Sequence, residues 1–102
     1  MTKLWLDDDL VHRVAPDGWT HVQTVEDAIQ VLETQPVSHL SLDHDLGENQ
    51  KTGYDLVKWI EERYFVQDIK PPEMKIHSAN PVGRDNMMAA ISNINRVMRS
   101  VG

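Results

Sequence analysis

The sequence contains no cysteine, which excludes disulfides and thiolate metal sites. It contains no apolar run near the ~20 residues that a membrane-crossing helix needs. Its amino terminus also lacks the pattern of a secretory signal. The protein is therefore expected to stay where it is made, in the cytoplasm and away from membranes. Cationic side chains are in the minority, 10 Lys and Arg against 16 Asp and Glu, for a net charge of -6. A sequence-blind grip on duplex DNA needs a basic face, so that class is disfavoured. A small anionic ligand bound through a divalent cation remains compatible with an acidic chain. At 102 residues, 40 % of them hydrophobic, the chain suits one globular domain spanning 1–102.

What is present centres on Ser41-Leu42-Asp43-His44-Asp45-Leu46-Gly47. It begins as a buried strand and ends as an acidic turn. That is the layout expected where a parallel strand leaves the core and delivers chemistry at its carboxyl end. Asp7-Asp8-Asp9 follows the apolar run Lys3-Leu4-Trp5-Leu6 in the same way. A fourth strand, Met74 to Ser78, delivers His77-Ser78-Ala79-Asn80-Pro81 at its end.

The rest of the chain fits around these strands. Leu10 to Trp19 reads as a one- or two-turn helix or an ordered loop, limited by Pro16 and Gly18. Trp19 to Val25 reads as a second, edge strand. Thr24 then caps a helix with Val25, Ala28, Ile29 and Leu32 on its apolar face, ending near Gln35. Val37 to Asp43 is the third strand, and 47–53 is an exposed loop. Thr52 caps a second helix that buries Leu56, Val57, Ile60 and Tyr64. Asn80 with Pro81 starts the last helix. There Met87, Met88, Ile91, Ile94, Val97 and Met98 recur at helical spacing, which reads as core filler.

Strands alternating with helices predict an α/β fold, a parallel sheet with helices on both faces. Right-handed crossovers make the strand order 2-1-3-4. Strands 1 and 3 are then neighbours, and their acidic ends meet at the switch point of the sheet.

With Asp7-Asp8, Asp43 and Thr52-Gly53-Tyr54-Asp55, the chain resembles the receiver domain of bacterial response regulators. The resemblance implies that the acidic pair and the central aspartate bind magnesium. Ser78 falls where receivers carry Ser or Thr. Receivers also have a fifth strand ending in lysine, and no counterpart follows here. Leu6-Asp7-Asp8, Asp43-His44-Asp45-Leu46-Gly47, Thr52-Gly53-Tyr54-Asp55 and His77-Ser78-Ala79-Asn80-Pro81 together resemble a divergent group, the cyclic-phosphate-processing receiver-like domains. That resemblance implies a small flavodoxin-like three-layer fold with four strands.

Carboxylates select hard cations such as magnesium or manganese, and nearby histidines extend the range towards manganese or zinc. Asp7, Asp8 and Asp43 are the expected ligands, with Asp45 or its carbonyl as a fourth; Asp9 reads as solvated. His44 and His77 are candidates for general base and acid. Each has a plainer reading as well: His44 as a ligand or prop, His77 as a tie between strands. Ser78, Asn80 and Arg84 at the last helix start, together with Arg13, are candidate phosphate contacts. For Asn80 simple capping is equally compatible.

Three functions follow. The first is a metal-dependent phosphoesterase opening a cyclic phosphate on an RNA end or a small cyclic nucleotide. The second is a module that only sequesters a nucleotide, as in a phage–host conflict. The third is a phosphoacceptor receiver using Asp43. The unpaired edge of strand 4 and the last helix further predict a homodimer.

Overall fold

A computed structural model describes residues 1–101 except 10, 13, 68, 69 and 79, with only the backbone for 97–101. The elements run β1 (Thr2–Leu6), β2 (Thr20–Val22), α1 (Val25–Thr34), β3 (Val37–Leu42), α2 (Gly53–Gln67), β4 (Glu73–Ile76) and α3 (Pro81–Val101). The four strands form one sheet in the order β2-β1-β3-β4, and every pairing is parallel. This is the α/β arrangement and strand order that the alternation predicted, and the receiver-like sheet that the motif resemblance implied.

The helix starts arise from local chemistry. Thr24 Oγ1 accepts the Asp27 amide at 3.1 Å, and Thr52 Oγ1 accepts that of Asp55 at 3.3 Å. Asp55 Oδ2 in turn accepts the Thr52 amide at 2.8 Å, completing a capping box. Asn80 Oδ1 accepts the Gly83 amide at 3.0 Å. Side-chain oxygens thereby satisfy amides that a helix leaves without internal partners.

Register decides which residues form the core. Leu4 pairs with Leu40, and Leu40 with Met74; Leu6, Leu42 and Ile76 form the next row. Paired residues project to the same side of a sheet. The four leucines are fully buried. They share one cluster with Val25, Ala28 and Leu32 of α1, Leu56, Val57 and Ile60 of α2, and Met87, Ile91 and Ile94 of α3. Each such side chain contributes about 1.5–3 kcal/mol through burial.

All three helices therefore pack on one face of the sheet, where the sequence had suggested cover on both. The physical reason is the β1–β2 connection, which forms no helix among its described residues. Lys3, Trp5, His21, His39, Ser41, Glu73 and Lys75 occupy the alternate register positions of the opposite face. An aromatic group closes part of it. Trp5 meets Trp19 edge to face at 5.9 Å, and Trp19 meets His39 at 6.3 Å.

Other differences are smaller. The second strand holds only 20–22, because the pairing with β1 stops at Val22. The fourth ends at Ile76, so Ser78 lies beyond it. Leu10 falls outside the described residues, as do the side chains of Val97 and Met98.

Candidate functional site

The sheet's hydrogen bonding continues one residue beyond three strands. Asp7 N donates to Val22 O at 3.0 Å, Asp43 N to Leu6 O at 2.9 Å, and His77 N to Leu42 O at 2.9 Å. Asp7, Asp43 and His77 thus leave the sheet at one level, held by backbone. Asp7 and Asp43 are buried, whereas Asp8 is exposed. Asp7, Asp8 and Asp43 offer oxygens that all lie within 4.8 Å of one another. Three carboxylates repel at that spacing, and a hard divalent cation is the species that oxygen donors so arranged would hold. The donor set fits magnesium or manganese. The charges come from adjacent strands, so the arrangement is a property of the fold and not of one loop.

Asp7 is held from several sides. Its Oδ1 accepts the Asp9 amide at 2.9 Å, and its Oδ2 lies 3.0 Å from His77 Nε2. His21 Nε2 lies 2.7 Å from its carbonyl oxygen. Asp9, expected to be solvated, instead shapes the turn: its Oδ1 accepts the amides of Val11 and His12, both at 2.9 Å.

The second aspartate of the central motif turns elsewhere. Asp45 Oδ1 lies 2.9 Å from His44 Nδ1, and its Oδ2 accepts from Asn80 Nδ2 at 3.1 Å. Its side chain is not in the carboxylate group described above. The His44 ring is mostly covered and packs on the first turn of α3. A methyl group at Gly83 would fall 2.4 Å from His44 Cγ. Gly53 is equally confined, because a Cβ there would fall 2.0 Å from the Asp43 carbonyl oxygen. The Gly53 amide donates to His44 O at 2.9 Å. Both glycines are therefore needed for the central turn to seat between α2 and α3.

His77 sits between two partners. Ser41 Oγ lies 2.8 Å from its Nδ1, while Asp7 faces Nε2. Trp5 stacks on the ring at 4.0 Å with 8° between planes. Ser78 is buried, and its Oγ accepts the Asn80 amide at 3.1 Å. Arg84 is exposed on the first turn of α3. Arg13 lies outside the described residues.

Sequence reasoning passed over Ser41, Trp5, His21 and Gly83. Only Ser41 carried a signal, as a polar residue between two leucines of a strand otherwise read as buried. A cleft of about 770 Å³ lies elsewhere, over α2 between Ile29, Trp59, Phe65 and Ile94. None of the three carboxylates lines it, and the chemistry of the donor set locates the site better than cleft size does.

A family model described as the cyclic-phosphate processing receiver domain matches residues 2–93. No curated protein and no solved structure matches the chain.

Proposed function

Since the chain belongs to the cyclic-phosphate processing receiver family, we propose that it is a divalent-cation-dependent phosphoesterase that opens a cyclic phosphate ester on a small nucleotide or an RNA end. The observation that carries this reading is the meeting of Asp7, Asp8 and Asp43 oxygens within 4.8 Å at the strand ends. A cation held there supplies charge neutralisation for a phosphoryl group and a more acidic water.

The chain's own residues divide the remaining work. Water adds across one P–O bond of the ring, leaving a phosphomonoester and a free hydroxyl. In this reading His44 moves the proton through Nε2, and the contact of its Nδ1 with Asp45 Oδ1 at 2.9 Å supports that role by orienting the ring. Asp43, Asp7 and Asp8 hold the cation, with the Asp45 carbonyl as a candidate further ligand. Ser78 and Arg84 flank the start of α3, where a phosphate oxygen would meet the helix's positive end. Asn80 contributes by fixing that end, since both its amide oxygen and its amide nitrogen are engaged. The acidic chain suits a small ligand or a strand end better than a long duplex.

The test is hydrolysis of 2′,3′-cyclic, 3′,5′-cyclic and cyclic-oligonucleotide phosphates, with and without manganese, beside Asp43→Ala and His44→Ala. Metal-dependent turnover lost in both variants is the expected result. Tight retention of one compound without turnover would replace this reading with a sequestering module.

A further inference from the structure

We infer that Ser41 and His77 form a positioning relay that fixes the Asp7 carboxylate, with Trp5 holding the imidazole plane. This rests on the cation-site reading and deepens it, because the relay ends on a carboxylate of the three that meet at the strand ends.

The argument starts from hydrogen-bond inventory. An ionised carboxylate only accepts, so the 3.0 Å contact between Asp7 Oδ2 and His77 Nε2 requires the proton to sit on Nε2. In the neutral ring Nδ1 is then an acceptor. The group facing it is Ser41 Oγ at 2.8 Å, a hydroxyl able to donate. Ser41 and His77 are 36 residues apart, and His77 and Asp7 are 70 apart. The relay therefore ties the ends of β1, β3 and β4 through side chains, just where their backbone ladder stops.

Ring orientation is fixed as well. The Trp5 indole lies parallel to the imidazole at 4.0 Å, so rotation of His77 about its ring torsion would break the stack and both polar contacts. Ser41 and Asp7 are buried, which raises the cost of leaving either polar group unsatisfied. Asp7 thereby has Oδ2 held by His77 and Oδ1 by the Asp9 amide. Partners that orient a metal-binding carboxylate typically change metal affinity about 10–100-fold when removed. With both ring nitrogens committed, His77 acts through Asp7, and proton transfer to the reacting atoms falls to His44.

Two measurements test this. Long-range ¹⁵N–¹H correlation on the metal-free protein reads the His77 tautomer, and the Nε2–H form is expected. Manganese titration by calorimetry then compares wild type with Ser41→Ala and Ser41→Thr. The alanine variant should lose about tenfold in affinity, and the threonine variant, which keeps the hydroxyl, should stay near wild type. A Ser41 that only supports the strand would lower the melting temperature in Ser41→Ala and leave manganese affinity unchanged; that result overturns the relay. So does an Nδ1–H tautomer. If the wild type binds no manganese, the cation-site reading fails, and the tautomer alone decides the relay.

Discussion

The side chain of Asn80 binds in two directions at once: its Oδ1 accepts the Gly83 amide at 3.0 Å and its Nδ2 donates to Asp45 at 3.1 Å. One residue thus caps α3 and anchors the central turn to that cap. Asn80→Ala removes both contacts and should destabilise the protein by about 1–2 kcal/mol in urea unfolding. Asn80→Asp keeps the cap oxygen but sets a carboxylate against Asp45, so it too should destabilise the protein in the same assay although the cap survives.

Gly83 and Gly53 should respond differently to alanine. At Gly83 the added methyl falls 2.4 Å from His44 Cγ, near the root of that side chain, so the imidazole must leave its seat and turnover should fall together with stability. At Gly53 it meets the Asp43 carbonyl oxygen at 2.0 Å, and backbone must move. Gly53→Ala should cost about 1–3 kcal/mol or more. Paired melting and activity measurements on the two variants check the contrast.

The carboxylate group makes a prediction that needs no substrate. Manganese at about 100 times its dissociation constant should stabilise the wild type by about 2.7 kcal/mol. Asp43→Asn should lose that increment and, by removing one of three neighbouring charges, melt no lower than wild type without metal. A full manganese-induced rise in the melting temperature of Asp43→Asn would remove Asp43 from the ligand set.

Core packing sets the scale for comparison. Ile60 is fully buried and belongs to the core cluster that also holds Leu4, Leu40 and Met87. Ile60→Ala should cost about 2–5 kcal/mol by equilibrium unfolding, well above the effect of an exposed α2 change.

Away from the site, Lys58 donates to Glu61 at 3.0 Å and holds its carboxyl below the usual glutamate range, against the opposing effect of partial burial. A depressed folded pKa contributes stability above the unfolded value, and that contribution is lost as pH falls through the folded one. Lys58→Met should move the Glu61 titration upward, as followed by carboxyl ¹³C shifts, and flatten the acid limb of stability slightly. The exposure of this pair keeps the effect small.

Much of this was legible in the sequence. Capping residues stand three positions before the amides they accept, so Thr24, Thr52 and Asn80 marked their helices. Strand order followed from crossover handedness, and that order brought Asp7 beside Asp43. Three features were not legible. Cover on one face alone depends on what the β1–β2 connection does, and Pro16 and Gly18 limit a helix there without deciding its absence. The outward turn of Asp45 depends on Asn80, 35 residues away. The pairing of Ser41 with His77 depends on register across β3 and β4, which no local pattern encodes.

The continuation of the ladder past β1, β3 and β4 also bears on how the chain folds. The groups it gathers are separated by tens of residues, and His77 meets Asp7 across 70 of them. Closing such loops costs entropy before any contact rewards it. The contact between His77 and Asp7 is therefore absent from any early, locally ordered state and forms only when the fourth strand docks. If the carboxylate group of Asp7, Asp8 and Asp43 binds a cation, added metal should slow unfolding more than it speeds folding, because those residues meet only once β1 and β3 have paired.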